Sequence, residues 1–204
     1  MENTNTLNNN VESPENYLDK GITLYNQGNY FDAISAFTEA IRLKPDFAEA
    51  YYQKGRAYGQ LEQHSEAIAD FSKTISLEPD HVDAYGNRGI ANANIGQNFE
   101  ALSDFDEAIR LKPDLAEAYN GRGGTKGVVK GKLGHPEDAI SDFNIAIDLD
   151  PNLARAHANR GVAKYKLGDT NGSKKDLEKS LTLIGQDEEL KADIQKKLQI
   201  IERQ

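Results

Sequence analysis

The chain contains no cysteine, which excludes disulfides and thiolate metal sites and leaves the redox compartment open. It has no run of about 18 apolar residues, so nothing in it reads as a membrane span. Its start, MENTNTLNNNVESPENY, has neither the basic head nor the apolar centre of a secretory signal. Positive charge is short as well: 24 lysines and arginines stand against 33 acids, for a net charge of −9. That balance argues against wrapping nucleic acid as a general role. The 204 residues are 38% apolar with a mean hydropathy of −0.69. Such a chain is polar, yet long enough for one or two domains with a real core. A cytoplasmic protein is the expectation.

What is there is periodic. Pro45, Pro79 and Pro113 are spaced by 34 residues, and so are Gly21, Gly55, Gly89 and Gly123. Ala33, Ala67 and Ala101 keep the same step, as do Phe37, Phe71 and Phe105. Each series then takes one step of 38, to Pro151, Gly161, Ala139 and Phe143. Four residue types in fixed register define an array of repeats.

Within one unit the pattern is helical. From Ala48 to Asp80, Tyr51, Gly55 and Tyr58 fall on one stripe, and Ala67, Phe71, Thr74, Ile75 and Leu77 fall on a second. The polar LEQHSE between them suits a tight turn, and proline ends the unit because it cannot extend a helix. A glycine inside a helix costs about 1 kcal/mol against alanine. Its recurrence opposite a recurring alanine implies two helix backbones in close approach. One such hairpin cannot bury its apolar face alone, so neighbours are expected to stack.

The pattern resembles the tetratricopeptide repeat family over residues 14 to about 185. Its aromatic-Gly-Ala-Phe-Ala-Pro series reads Tyr17, Gly21, Ala33, Phe37, Ala40, Pro45 in the first unit and Tyr85, Gly89, Ala101, Phe105, Ala108, Pro113 in the third. By the fifth it has decayed to His157, Gly161, Ser173, Leu177, Ser180 and Gly185. The Asn-Arg-Gly variant at 87–89 and 159–161 looks like bacterial members. The resemblance implies an all-α, right-handed superhelical solenoid of five hairpins, over 14–47, 48–81, 82–115, 116–153 and 154–185. Residues 1–13, polar and Asn-rich, are expected to be a disordered tail. Residues 186–204 place Leu190, Ile194, Leu198 and Ile201 on one stripe, as a capping helix would.

The stretch GRGGTKGVVKGKLG, residues 121–134, carries the four added residues of the fourth unit. Four residues make about one helical turn, so a first helix longer by one turn is the expectation, with a bulge as the alternative. The glycine spacing fits neither phosphate-loop pattern, and no strand precedes it. The glycines also sit in the C-terminal half of a helix, where the dipole repels anions. Nucleotide binding here is therefore not the favoured reading, and RNA binding lacks nearby stacking aromatics. A lip on the groove, with Lys126 and Lys130 one turn apart, is a third reading.

In this family the first helices of successive units line a concave groove that takes peptides. That resemblance selects Tyr52, Arg56, Asn87, Ile90, Asn94, Asn120, Arg155, Asn159, Val162 and Lys166 as peptide-binding residues, flanked by Leu18, Ile22, Tyr25, Gln53 and Tyr165. An asparagine amide both donates and accepts, so Asn87, Asn120 and Asn159 suit a peptide backbone. The two-carboxylate clamp of chaperone-binding members is not matched: Leu18, Ile22, Gln53, Asp83 and Asn87 occupy its slots. Basic residues gather in ARAHANRGVAKYKLG, residues 154–168, which favours an acidic peptide toward the C-terminal half.

A further recurrence is structural. Lys54–Asp70, Arg88–Asp104, Arg122–Asp142 and Arg160–Asp176 are expected to pair across their hairpins, while Ala36 leaves Lys20 without such a carboxylate. His64, His81, His135 and His157 share no unit position, and His157 takes the slot of a packing tyrosine. No catalytic or metal-ligand spacing emerges, so no enzyme activity, metal or cofactor is expected. The function expected is a scaffold that binds a protein or peptide; the alternative is self-association into a homodimer through the decayed fifth unit and the cap.

Overall fold

Small residues recur at helical spacing along the hairpin helices, and a proline or a left-handed residue follows most of them. The computed structural model describes residues 13–128, 136–185 and 187–202, and among these there are eleven helices and no strand. The chain divides into two compact units, Met1–Pro79 and Asp80–Gln204.

The first unit holds α1 (Pro14–Asn26), α2 (Tyr30–Leu43), α3 (Ala48–Gln60) and α4 (His64–Leu77). Ser13 caps α1 by accepting a hydrogen bond from the Asn16 amide at 3.2 Å, and Pro14 opens the helix where its missing N–H is not needed. The remainder of the expected tail, residues 1–12, lies outside the described residues. α1 packs on α2, α3 on α4, and α2 and α1 both touch α3. Ala33, Ala36, Phe37 and Ala40 form the buried face of α2. Around Ala33, Phe37 and Ala57 gather Leu18, Ile22, Leu24, Tyr25 and Ile34.

The second unit holds α5 (Val82–Asn94), α6 (Asn98–Leu111), α7 (Ala116–Val128), α8 (Pro136–Leu149), α9 (Ala154–Lys166), α10 (Thr170–Leu183) and α11 (Glu188–Glu202). Three hairpins, α5–α6, α7–α8 and α9–α10, follow one another, each second helix touching the next first helix. α5 also touches α7, and α7 touches α9, so the first helices form a continuous row. α11 packs on α10, and its Ile194 and Ile201 are buried with Leu177 and Ala158 while Leu190 and Leu198 pack beside them.

The recurring glycine has a more specific role than backbone approach. A methyl group on Gly21, Gly55 or Gly89 would lie 2.4, 2.8 or 3.0 Å from the ring of Phe37, Phe71 or Phe105. The glycine makes room for the buried phenylalanine of its own hairpin. At Gly123 the ring of Phe143 is joined by the Ala139 carbonyl, 3.0 Å away, so there the backbones do approach. Each described hairpin turn ends in a left-handed residue: Gly28, Gly96, Gly168 and, in the same slot, Glu62 with φ of 57°.

Described α7 has 13 residues, the length of α3, α5 and α9. Residues 129–135 lie outside the described residues, and with them the expected extra turn, Lys130 and His135.

Candidate functional site

The row of α5, α7 and α9 brings several of the expected binding residues onto one face. On α7 and α9, Asn159 Nδ2 donates to Asn120 Oδ1 at 3.0 Å, so two of the three asparagines are joined. The Asn87 amide on α5 donates to the Asp83 carbonyl at 2.9 Å. Ile90 is half exposed and Asn94 exposed. Asp83, Asn87, Ile90, Phe105, Leu115 and Glu117 border a pit of about 290 Å³ between α5 and α7, which Gly86 keeps open. A second pit, of about 130 Å³, collects Asn159, Val162 and Lys166 with Gly124, Gly127 and Phe143. The glycines of the insertion thus border the row by lacking side chains.

In the first unit, Arg56 stacks on two tyrosines: its guanidinium carbon lies 4.7 Å from the Tyr25 ring centroid and 5.8 Å from that of Tyr52. It also donates to Gln53 Oε1 at 2.8 Å, and the stacking is worth about 1 kcal/mol in such half-exposed settings. Tyr25, Tyr52, Gln53 and Arg56 therefore form one cluster. Leu18 and Ile22 turn toward the core around Phe37 and offer little to a guest.

All four expected ion pairs are present. Lys54–Asp70 spans 3.1 Å, Arg88–Asp104 2.6 Å, Arg122–Asp142 2.6 Å and Arg160–Asp176 2.7 Å. Two features escaped the sequence. The residue one turn after the cation supplies a second donor: Asn92 Nδ2 to Asp104 at 2.9 Å, Lys126 Nζ to Asp142 at 2.7 Å and Lys164 Nζ to Asp176 at 2.8 Å. The slot recurs with the repeat spacing, but its side chains differ in type, which hid it. In addition, Arg122 reaches Asp106 at 2.7 Å and Arg160 reaches Asn144 at 2.8 Å, tying each first helix to the preceding hairpin.

These contacts change the charge pattern. Arg122, Lys126, Arg160 and Lys164 are consumed by internal carboxylates, and Arg155 lies 3.1 Å from Asp187. Lys126 is committed to Asp142, while Lys130, its expected partner in the lip, lies outside the described residues. Burial pushes the Asp176 carboxyl up, but the hydrogen bonds from Arg160 and Lys164 outweigh it and hold the group below its ordinary value. Asp70 goes the other way. Its slot partner Tyr58 gives no hydrogen bond, Oδ2 has no partner, and burial raises its pKa against the pull of Lys54. Lys20 has no ion-pair partner among the described residues, with Ala36 in the carboxylate slot.

Two histidines serve the scaffold. His81 caps α5, its Nδ1 accepting from the Ala84 amide at 3.2 Å. His157 is buried, with Nε2 3.1 Å from the Pro151 carbonyl. Gly121, Gly123, Gly124 and Gly127 lie within α7, so they build no N-terminal anion cradle. Among the described residues there is no group of three or more metal-ligating side chains. No described helix is long and apolar enough to cross a membrane.

Consecutive helix hairpins with a glycine beneath each buried aromatic or leucine define a helical repeat protein. Sequence models of the tetratricopeptide repeat match residues 48–81 and 154–187, and a TPR repeat model matches 21–62 and 132–168. Together they span more than half of the chain, which belongs to the tetratricopeptide repeat family. Among solved structures, the MamA protein is 25% identical with a TM-score of 0.71, covering 85% of this chain and 92% of its own. A thermophilic tetratricopeptide repeat protein of Thermus thermophilus is 20% identical with a TM-score of 0.74, over 90% and 98% of the two chains. YrrB, described as a tetratricopeptide repeat protein with an unusual peptide-binding site, is 24% identical with a TM-score of 0.67, over 92% and 94%. No curated protein matches the chain by sequence. The fold is the helix-hairpin solenoid of this family, whose members are typically non-catalytic, and the chain is a protein-interaction scaffold.

Proposed function

We propose that the row of α5, α7 and α9 holds an extended segment of a partner protein. The observation that carries this is the Asn120–Asn159 pair at 3.0 Å. Each amide retains hydrogen-bonding capacity after satisfying the other, and both lie on the helices that meet along the row. An extended backbone laid there would find amides from Asn87, Asn120 and Asn159, with the two pits taking side chains. The peptide-binding site in YrrB's description supports the reading by analogy of fold.

The electrostatics give the segment a direction. Asp83 and Glu117 border the α5–α7 pit, and Lys166 borders the α7–α9 pit. A basic residue suits the first and an acidic one the second. Among the described residues, the preference for acid thus rests on Lys166.

A pull-down from the native cell extract tests this reading. Partners retained by the wild type should be lost from Asn120→Ala and Asn159→Ala. A partner retained equally by both variants removes the row from consideration.

A further inference from the structure

The first hairpin breaks the charge rule of the others. In the later four, a lysine or arginine of the first helix meets an aspartate of the second, at 3.1, 2.6, 2.6 and 2.7 Å. A tyrosine three residues earlier underlies three of these cations. The ring centroids of Tyr51, Tyr85 and Tyr119 lie 5.5, 5.6 and 5.3 Å from Lys54, Arg88 and Arg122. α1 supplies the same cation and ring in Lys20 and Tyr17, but α2 supplies Ala36 in place of the aspartate. The paired cations are largely buried. Lys20 is exposed and has no ion-pair partner among the described residues.

The missing side chain leaves space as well as charge. A pit of about 320 Å³ lies between α1 and α2, lined by Tyr17, Lys20, Leu24 and Ala36 with Asp32 and Glu39. The two acids do not close it to an anion. Glu39 is paired with Arg42 at 2.7 Å. Asp32 stands four residues before the vacated slot, on the same helix face. Glu66, Glu100 and Asp138 stand four residues before Asp70, Asp104 and Asp142, and those pairs form beside them. The pit is larger than a carboxylate needs, and Tyr17 and Leu24 give the rest of it an apolar wall.

We infer that this pit binds an aspartate or glutamate side chain of a partner protein. The carboxylate takes the place that Asp70, Asp104, Asp142 and Asp176 hold in the later hairpins. Lys20 Nζ donates to it and is drawn over the Tyr17 ring, while Leu24 receives an apolar neighbour of the acid. Charge complementarity selects the acid, and the chain's own four filled slots show that the geometry accepts one. The site uses the first unit alone and shares no residue with the row of α5, α7 and α9.

Acetyl-Leu-Asp-amide and its asparagine counterpart, titrated into the full chain under NMR, test the site. The aspartyl peptide should give saturable shifts at Lys20, Leu24 and Ala36 that weaken as salt is raised. The Lys20 ε-methylene protons should move upfield in the ring current of Tyr17. The asparagine peptide should bind several-fold more weakly. Lys20→Gln, at an exposed position where folding is not at stake, should remove the difference between the two peptides. Ala36→Asp should block the aspartyl peptide by filling the slot from within. Absence of saturable shifts in the wild type, equal binding of the two peptides, or an aspartyl preference that survives Lys20→Gln would overturn the site. Shifts that appear only in a chain carrying Glu2→Gln and Glu12→Gln would overturn it in favour of the chain's own first residues as the occupant.

Discussion

Arg160 grips Asp176 through two parallel hydrogen bonds, 2.7 Å from Nη2 to Oδ1 and 2.8 Å from Nε to Oδ2. Both side chains are largely buried, so each depends on the other for compensation. Removing one partner of such a pair costs about 3–5 kcal/mol, whereas replacing both with apolar residues of similar volume costs little. Arg160→Ala should therefore destabilise the second unit strongly, and Arg160→Leu with Asp176→Leu much less. Urea unfolding followed by helical circular dichroism measures both.

The two carboxylates at the extremes of this series should respond to pH in opposite directions. The folded pKa of Asp176 is depressed below its ordinary 3.8. Its stabilisation is then complete at neutral pH and is lost as pH falls through the folded value. The stability gap between wild type and Asp176→Asn should shrink below about pH 4. The folded pKa of Asp70 is raised, so its ionised form is disfavoured in the fold. Wild type should gain on Asp70→Asn as pH falls from neutral through that raised value. Melting curves from neutral to acid pH decide both signs.

Glu62 holds φ of 57° in a slot that Gly28, Gly96 and Gly168 fill elsewhere. A side chain in the left-handed region costs about 1–2 kcal/mol, and glycine avoids it. Glu62→Gly should raise the stability of the first unit by about 1 kcal/mol, read as a higher melting temperature.

Two glycines of α7 differ in what surrounds them. A methyl on Gly121 would lie 2.5 Å from the Phe105 ring, whereas one on Gly124 would meet nothing within 4 Å. Gly124→Ala should stabilise by about 1 kcal/mol, the helix-propensity gain. Gly121→Ala should destabilise by about 1–3 kcal/mol, because the added methyl would overlap the buried Phe105 ring. Chemical denaturation of the two variants gives opposite shifts of midpoint.

The hairpins and the four ion pairs were legible because like residues recur at one spacing, and the cap because Leu190, Ile194, Leu198 and Ile201 fall on one stripe. Phe71 and Asp70 announce themselves through Phe105 and Asp104. The second donors did not, since Asn92, Lys126 and Lys164 share a slot but not a chemistry. The role of Gly21, Gly55 and Gly89 was half legible: their need for space was evident, the ring that fills it was not. The basic character of residues 154–168 is smaller than their sequence charge suggests, because that charge ignores pairing. Arg160 and Lys164 are spent on Asp176. The Arg56–Tyr25 stack joins residues 31 positions apart, across a repeat boundary that only packing reveals.

Hydrogen exchange of the chain with and without its captured partner tests the central claim most directly. Protection on binding should concentrate on α5, α7 and α9, around Asn87, Asn120 and Asn159. Protection confined to α6, α8 and α10 would contradict it.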